Sequence, residues 1–249
     1  MHLVDMEERE IVIDDQPGKI YGVAFIPEGK APLVIYCHGL GGSYRHGLKY
    51  ARELALHGLA TYCFDFRCCG NQSDGDVTDM SVMTEVSDLD RVIEEAKTWD
   101  FVNEIILLGT SQGGIVASIA AARHVEDIAG LILCYPAFLV HDAVHQRFST
   151  LEEVPASFQF EWVIAGKPYI EDMWDYDVYK EIGNYKKKVL LMHGDQDEIV
   201  PLKYSDQAAQ VYVDVAYFVI KGSGHGFHGS AFEEAMAHIF WYLKEIGCL

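Results

Sequence analysis

Apolar residues along this chain follow two patterns that alternate. PLVIYC, LATYCFDF and EIILLG are short, nearly continuous apolar runs, the pattern of strands buried on both faces, and AGLILCY, VLLMHG and VAYFVI also read as strands. Between them apolar residues recur at helical spacing. The segment from Ser81 to Trp99 places Val82, Val86, Leu89, Val92, Ile93 and Ala96 on one stripe with acidic residues between, an amphipathic helix. Further helices are predicted around YARELALHG, closing at Gly58, from Gln112 to about His124, over LKYSDQAAQVY and over AFEEAMAHIFWYLKEI. At the start, EREIVID and KIYGVAFIP flank Gln16-Pro17-Gly18 and read as a hairpin-like pair. After that pair strand and helix alternate, which predicts an α/β fold with a mostly parallel central sheet and helices on both faces.

One interval breaks the rhythm. Pro136 to Lys187 separates AGLILCY from VLLMHG, too far for a plain connection in a compact domain. It is rich in aromatics, among them Phe138, Phe160, Trp162, Tyr169 and Trp174. The expectation is an inserted cap, residues 136–187, over the strand ends where open α/β sheets bind ligands. The core is then residues 1–135 and 188–249.

Composition narrows the function classes. With 249 residues, half of them hydrophobic, one sizeable core and an insertion fit the length. The 38 acidic against 19 basic residues give a net charge of −19, which repels nucleic acid and anionic membrane surfaces. No apolar run has the length of a membrane span. The opening MHLVDMEEREIVIDD lacks the basic-then-apolar order of a signal peptide, so a cytoplasmic location is expected. Cysteines 37, 63, 68, 69, 134 and 248 form no CxxC pair and are expected as free thiols. Neither HExxH nor a phosphate-binding glycine loop is present, so no metal and no cofactor are implied.

The chemistry centres on LLGTSQGGIVASIAAA, residues 107–122. A buried-type strand ends at Gly109 and a helix begins near Gln112, with Ser111 between. This is the strand–turn–helix context that a G-x-S-x-G nucleophile elbow requires; chance alone supplies about 0.1 such motifs in a chain of this composition. A serine hydroxyl needs an imidazole to take its proton and a carboxylate to orient that imidazole. VLLMHGDQDEIVP offers Asp195, Asp197 and Glu198 at one strand end. VAYFVIKGSGHGF offers His225 and His228 at another. The glycine-flanked loop favours His225, and His228 is expected to cap or solvate the last helix.

HGLGG at 38–42, DFRCCGNQSDG at 65–75, GTSQGG at 109–114, HGDQDEIVP at 193–201 and GSGHGF at 222–227 together resemble the α/β-hydrolase superfamily, in that family's order and over nearly the whole chain. The resemblance implies Ser111 as nucleophile, His225 as base and Asp197 as acid, with Asp195 a turn residue. It implies an oxyanion hole from the N–H groups of Leu40 and Gln112, and structural roles for His38 and His193. Within the superfamily the chain is similar to bacterial feruloyl and cinnamoyl esterases, through Ser111–Gly114, Pro136-Ala137, Asp142, and Tyr169-Ile170 through Tyr176 and Tyr179. That likeness implies a serine esterase for a small-molecule ester, with Asp142 and Tyr169 meeting the substrate's phenolic hydroxyl. It leaves a homodimer open. The chain departs from the pattern at Thr110, at Arg67-Cys68-Cys69-Gly70 and in the middle of the cap. A short-chain carboxylesterase or monoacylglycerol lipase would use the same three residues under a different cap. A serine peptidase and a non-catalytic binding protein of this fold are the remaining alternatives.

Overall fold

In the computed structural model, which describes residues 6–69 and 71–249, the predicted strands join one eight-stranded sheet. They are β1 (Met6–Ile13), β2 (Ile20–Pro27), β3 (Ala31–Cys37), β4 (Ala60–Phe64), β5 (Val102–Thr110), β6 (Ile128–Cys134), and two later ones, β9 (Val189–Gly194) and β10 (Val215–Ile220). The order is β1-β2-β4-β3-β5-β6-β9-β10. β1 pairs antiparallel with β2, β2 pairs antiparallel with β4, and all later pairings are parallel.

Side-chain alternation along the inner strands divides the core in two. Leu33 and Ile35 of β3 and Leu107 of β5 face one layer, formed by α2 (Val82–Ala96) and α3 (Gln112–Arg123). Val34, Tyr36, Ile106 and Leu108 face the other, formed by α1 (Leu48–Ala55) and the last helix, α8 (Ser230–Glu245). Because both faces are covered, these strands are apolar at consecutive positions. Ser81 is the cap of α2 rather than its first residue: its Oγ accepts from Thr84 N at 3.1 Å, and Thr84 Oγ1 accepts from Ser81 N at 2.8 Å, which satisfies two donors at the helix start. After α1 the chain reverses at Gly58, whose φ of 82° is open to glycine and whose N–H reaches Ala55 O at 3.0 Å.

The long interval between β6 and β9 holds regular structure of its own. It contains α4 (Val140–Arg147), the antiparallel pair β7 (Ser157–Phe160) and β8 (Val163–Gly166), α5 (Lys167–Glu171) and α6 (Val178–Ile182). Its buried Phe138, Tyr169, Ile170 and Met173 belong to the same hydrophobic cluster as α2 and α3. Polar contacts also tie it down: Ser81 Oγ donates to Asp172, and the Trp162 indole N–H donates to Leu40 O at 2.9 Å. A further helix, α7 (Lys203–Val211), follows β9. No helix among the described residues is long and apolar enough to cross a membrane.

Candidate active site

Ser111 sits at the break between β5 and α3 with φ 52° and ψ −121°, a conformation that non-glycine residues rarely adopt. Its surroundings enforce it. A Cβ on Gly109 would lie 2.3 Å from Gly113 O, and one on Gly113 would lie 2.2 Å from Cys37 O. The two glycines therefore let α3 start directly against the ends of β5 and β3. Ser111 N–H donates to Cys134 O at 3.1 Å, and Ser111 O accepts from Gly114 and Ala137, so the backbone is held while the hydroxyl is left to react outward.

The hydroxyl meets His225, whose Nε2 is 2.9 Å from Ser111 Oγ, and whose Nδ1 is 2.8 Å from Asp197 Oδ2. With Nδ1–H donating to the carboxylate, Nε2 is free to accept the serine proton. Burial would raise the Asp197 carboxyl. Hydrogen bonds from His193, His225 and Val200 N–H outweigh it and hold the group well below the usual carboxylate range. Asp197 Oδ1 accepts from Ile199 N at 3.0 Å and Val200 N at 2.8 Å. Asp195 lies apart from this array: its Oδ1 accepts from Gly222 N at 2.7 Å and ties the turn after β10.

The two histidines expected to be structural are engaged in different ways. His38 is fully buried, its Nδ1 donating to Gly39 O at 2.9 Å and its Nε2 accepting from Phe66 N at 3.1 Å. Burial pulls its pKa down to about 4, so it stays neutral and braces the loop after β3. His193 does more than pack. Its Nδ1 bonds Ser205 Oγ at 2.7 Å, and its Nε2 reaches Val200 O at 2.9 Å and Asp197 Oδ2 at 3.1 Å, so it shares the carboxylate with His225.

Two hollows meet at Ser111. A chamber of about 230 Å3 is lined by Ser111, His225, Lys49, His46, His228 and Trp162 among others. A smaller, mainly apolar one of about 60 Å3 is lined by Leu40, Gln112, Val140, Phe160, Tyr169 and Val200 among others, and also by Ser111. Among the described residues neither the Leu40 nor the Gln112 backbone N–H has an intramolecular acceptor. Gln112 is the first residue of α3, where helical N–H groups have no partner within the helix.

Behind Gln112 lies a buried polar cluster that the sequence did not disclose. The Tyr169 hydroxyl donates to Gln112 Oε1 at 2.7 Å, and Gln112 Nε2 points to Met80 Sδ at 3.6 Å. Glu85, fully buried beside them, accepts from Cys69 Sγ at 3.6 Å, and among the described residues its Oε2 has no partner. Burial raises its pKa to about 8 against the opposing pull of Gln112 and Cys69. Arg67, where the sequence departs from the esterase pattern, donates through Nε to Asp88 Oδ1 at 2.6 Å and through its backbone N–H to Oδ2 at 2.7 Å. The departure is thus matched by a buried ion pair under α2.

The structure does not bring Asp142 and Tyr169 to one place, contrary to the expectation that they share a substrate hydroxyl. On α4 the flank bearing Leu139, Val140 and Ala143 lines the apolar cavity. Asp142 turns away from it into a separate cleft of about 370 Å3 and accepts from the Tyr204 hydroxyl at 2.8 Å. That bond, foremost, lowers its pKa. Tyr169 does line the cavity, but its hydroxyl proton is committed to Gln112. His228 sits at the start of α8, where its backbone carbonyl accepts from Ala231 N at 3.1 Å, and the residue also lines the larger Ser111 chamber. Far from the site, folding gathers Glu94, His124 and Asp127 within ligand distance of one another; Lys97 Nζ, at 3.1 Å from Glu94 and 3.2 Å from Asp127, supplies a cation there.

Comparison with known proteins follows the same outline. Residues 29–169 match the family described as "Serine aminopeptidase, S33", and residues 157–231 match the "alpha/beta hydrolase fold". The ferulic-acid complex of Est1E from Butyrivibrio proteoclasticus superposes with a TM-score of 0.86 at 27% identity, over 95% of this chain and 99% of that one. An esterase from Exiguobacterium antarcticum shares the fold at a TM-score of 0.73 and 21% identity, over 95% and 100% of the two chains. A probable 1-acylglycerol-3-phosphate O-acyltransferase from Oryza sativa subsp. japonica is 33% identical over 132 residues, which are 53% of this chain and 31% of the relative. The chain therefore spans about a third of that relative's length.

Proposed function

Because the chain belongs to the α/β-hydrolase superfamily, through the family described as "Serine aminopeptidase, S33", we propose that it is a serine carboxylic ester hydrolase. The observation that carries this reading is the Ser111–His225–Asp197 array, with contacts of 2.9 and 2.8 Å, beside two N–H groups without acceptors among the described residues. Ser111 Oγ attacks the ester carbonyl as His225 Nε2 takes its proton. The Leu40 and Gln112 N–H groups receive the oxyanion. Asp197, ionised throughout, holds the tautomer and stabilises the imidazolium. His225 then protonates the leaving alcohol, and water repeats the sequence on the acyl-enzyme.

For the acyl group we infer a hydroxycinnamoyl unit, supported by the similarity over 95% of the chain to a structure holding ferulic acid. One observation favours a second reading, a short-chain carboxylesterase: the apolar hollow of about 60 Å3 has the volume of about two water molecules, room for a small acyl group. The test is kcat/KM on methyl ferulate, methyl cinnamate, an aliphatic chain-length series and an aminoacyl anilide, with fluorophosphonate labelling of Ser111. Hydroxycinnamate preference supports the first reading, and a maximum at acetate or propionate supports the second. Cleavage of the anilide alone moves the protein to the peptidases. Absence of labelling in folded protein removes the serine mechanism.

A further inference from the structure

The larger chamber at Ser111 carries a charge pattern at odds with the rest of the molecule. Asp and Glu outnumber Lys and Arg 38 to 19 in the chain, yet among the described residues no carboxylate lines the chamber; its ionisable lining includes Lys49, His46, His225 and His228. Lys49, in the first turn of α1, is half-buried there. Its Nζ donates to Phe227 O at 2.8 Å and lies over the rings of Tyr50 at 5.1 Å and Phe232 at 4.8 Å. Among the described residues it has no carboxylate partner, although thirteen other Lys, Arg or His side chains do, from Arg9 to His238. Burial lowers its pKa. A carbonyl and two ring faces attract an ammonium but leave its charge uncompensated, and a partly desolvated cation without a counter-ion is costly.

The position of the chamber decides what would supply that counter-ion. It contains His225 and Gly226, whereas the apolar hollow contains neither. The group that returns a proton to the leaving oxygen is His225, so the chamber is on the alcohol side of the scissile bond. We propose that it is a subsite for an alcohol bearing a carboxylate, which pairs with the Lys49 ammonium while His46 and His228 stand at the rim. The substrate class is then an ester of a hydroxy acid, cleaved to the free acyl acid and the hydroxy-acid anion. This assignment rests on the ester-hydrolase reading and extends it to the leaving group. The chain's net charge of −19 repels such an anion at long range, so Lys49 also offsets an unfavourable field.

The experiment compares matched leaving groups: the acetyl and feruloyl esters of 3-hydroxybenzoate and of 3-hydroxybenzamide, which differ in charge and hardly in shape. The expected result is a kcat/KM ratio of anionic to neutral ester of about tenfold, the lower range for a hydrogen bond to a charged group. In Lys49→Met the ratio falls below one, because only the repulsive field remains. Lys49→Arg restores the preference, and rising salt shrinks it in wild type. Thermal melts establish that each variant is folded, and the ratio is insensitive to a general loss of activity through the Phe227 contact. Equal kcat/KM on both leaving groups, or a preference that survives in Lys49→Met, overturns the subsite and leaves the esterase standing. Failure to turn over any of the four esters, with no fluorophosphonate labelling, overturns the esterase reading and the subsite with it.

Discussion

His225 Nε2 stands 2.9 Å from Ser111 Oγ across 114 residues of chain, although the strands that carry them, β10 and β5, are separated in the sheet by β6 and β9. Parallel strands deliver their C-terminal loops to one edge, so side chains remote in sequence converge without any local signal. The contact makes a direct demand on the nucleophile. Ser111→Ala should fold as wild type does and lose roughly 10,000-fold in kcat. Retention of more than a tenth of wild-type ester hydrolysis would falsify the assignment.

The two aspartates after β9 separate by their partners. Asp197 holds His225, whereas Asp195 holds the Gly222 N–H. Asp197→Asn should reduce turnover by about 10,000-fold through the wrong imidazole tautomer. Asp195→Asn should cost at most about tenfold, the effect of weakening one hydrogen bond in the turn that bears His225. Paired kinetic assays check the ranking, and the opposite order would transfer the orienting role to Asp195.

Gly113 tests the packing of the elbow itself. With a Cβ 2.2 Å from Cys37 O, Gly113→Ala must push α3 away from β3. A loss of about 1–3 kcal/mol in stability is expected from such overpacking, together with a fall in kcat because Ser111 and the Gln112 N–H move as one piece. Chemical denaturation and steady-state kinetics on the same preparation measure both. An alanine variant as stable and active as wild type would contradict the close approach.

Asp142 and Tyr169 call for a comparison of esters with and without a phenolic hydroxyl. Since Asp142 is bonded to Tyr204 outside the Ser111 cavity, Asp142→Ala should change kcat/KM for methyl ferulate and methyl cinnamate by the same small factor. Tyr169→Phe frees Gln112 Oε1 and should lower kcat about tenfold on both esters with little change in KM, the value of one buried hydrogen bond. A loss confined to the ferulate ester would return either residue to direct contact with the substrate hydroxyl.

Glu85 makes stability depend on pH. Its folded pKa, raised by burial to about 8, exceeds the ordinary value of 4.5. The unfolded chain therefore releases this proton from about pH 4.5 upward, while the folded protein keeps it until about pH 8. The protonated carboxyl's contribution is complete below pH 4.5 and is lost as pH rises toward 8, by on the order of 3 kcal/mol near pH 7. Melting temperatures measured from pH 5 to pH 8 should fall with a steeper slope for wild type than for Glu85→Gln. Parallel slopes would place the titration elsewhere.

What the sequence determined by itself is what short-range physics controls. The period of apolar residues set strand against helix, and the absence of polar alternation in PLVIYC and EIILLG marked strands covered on both faces. The glycines around Ser111 announced a turn too tight for side chains, and the order Ser, Asp, His followed the strand ends. What only the tertiary structure decided depends on distances that no local pattern encodes. The Arg67–Asp88 pair and the Tyr169–Gln112 bond join elements that meet through packing. His193 reaches Asp197 because the chain after β9 folds back, and Asp142 misses the cavity because one step of about 100° around a helix separates neighbouring flanks. Lys49 stands just before the segment YARELALHG, and no local pattern singles it out. Its placement between Phe227 O and the mouth of the Ser111 chamber arises from a contact across 178 residues, and long-range contacts of that kind, not propensity, determine which charges a site presents.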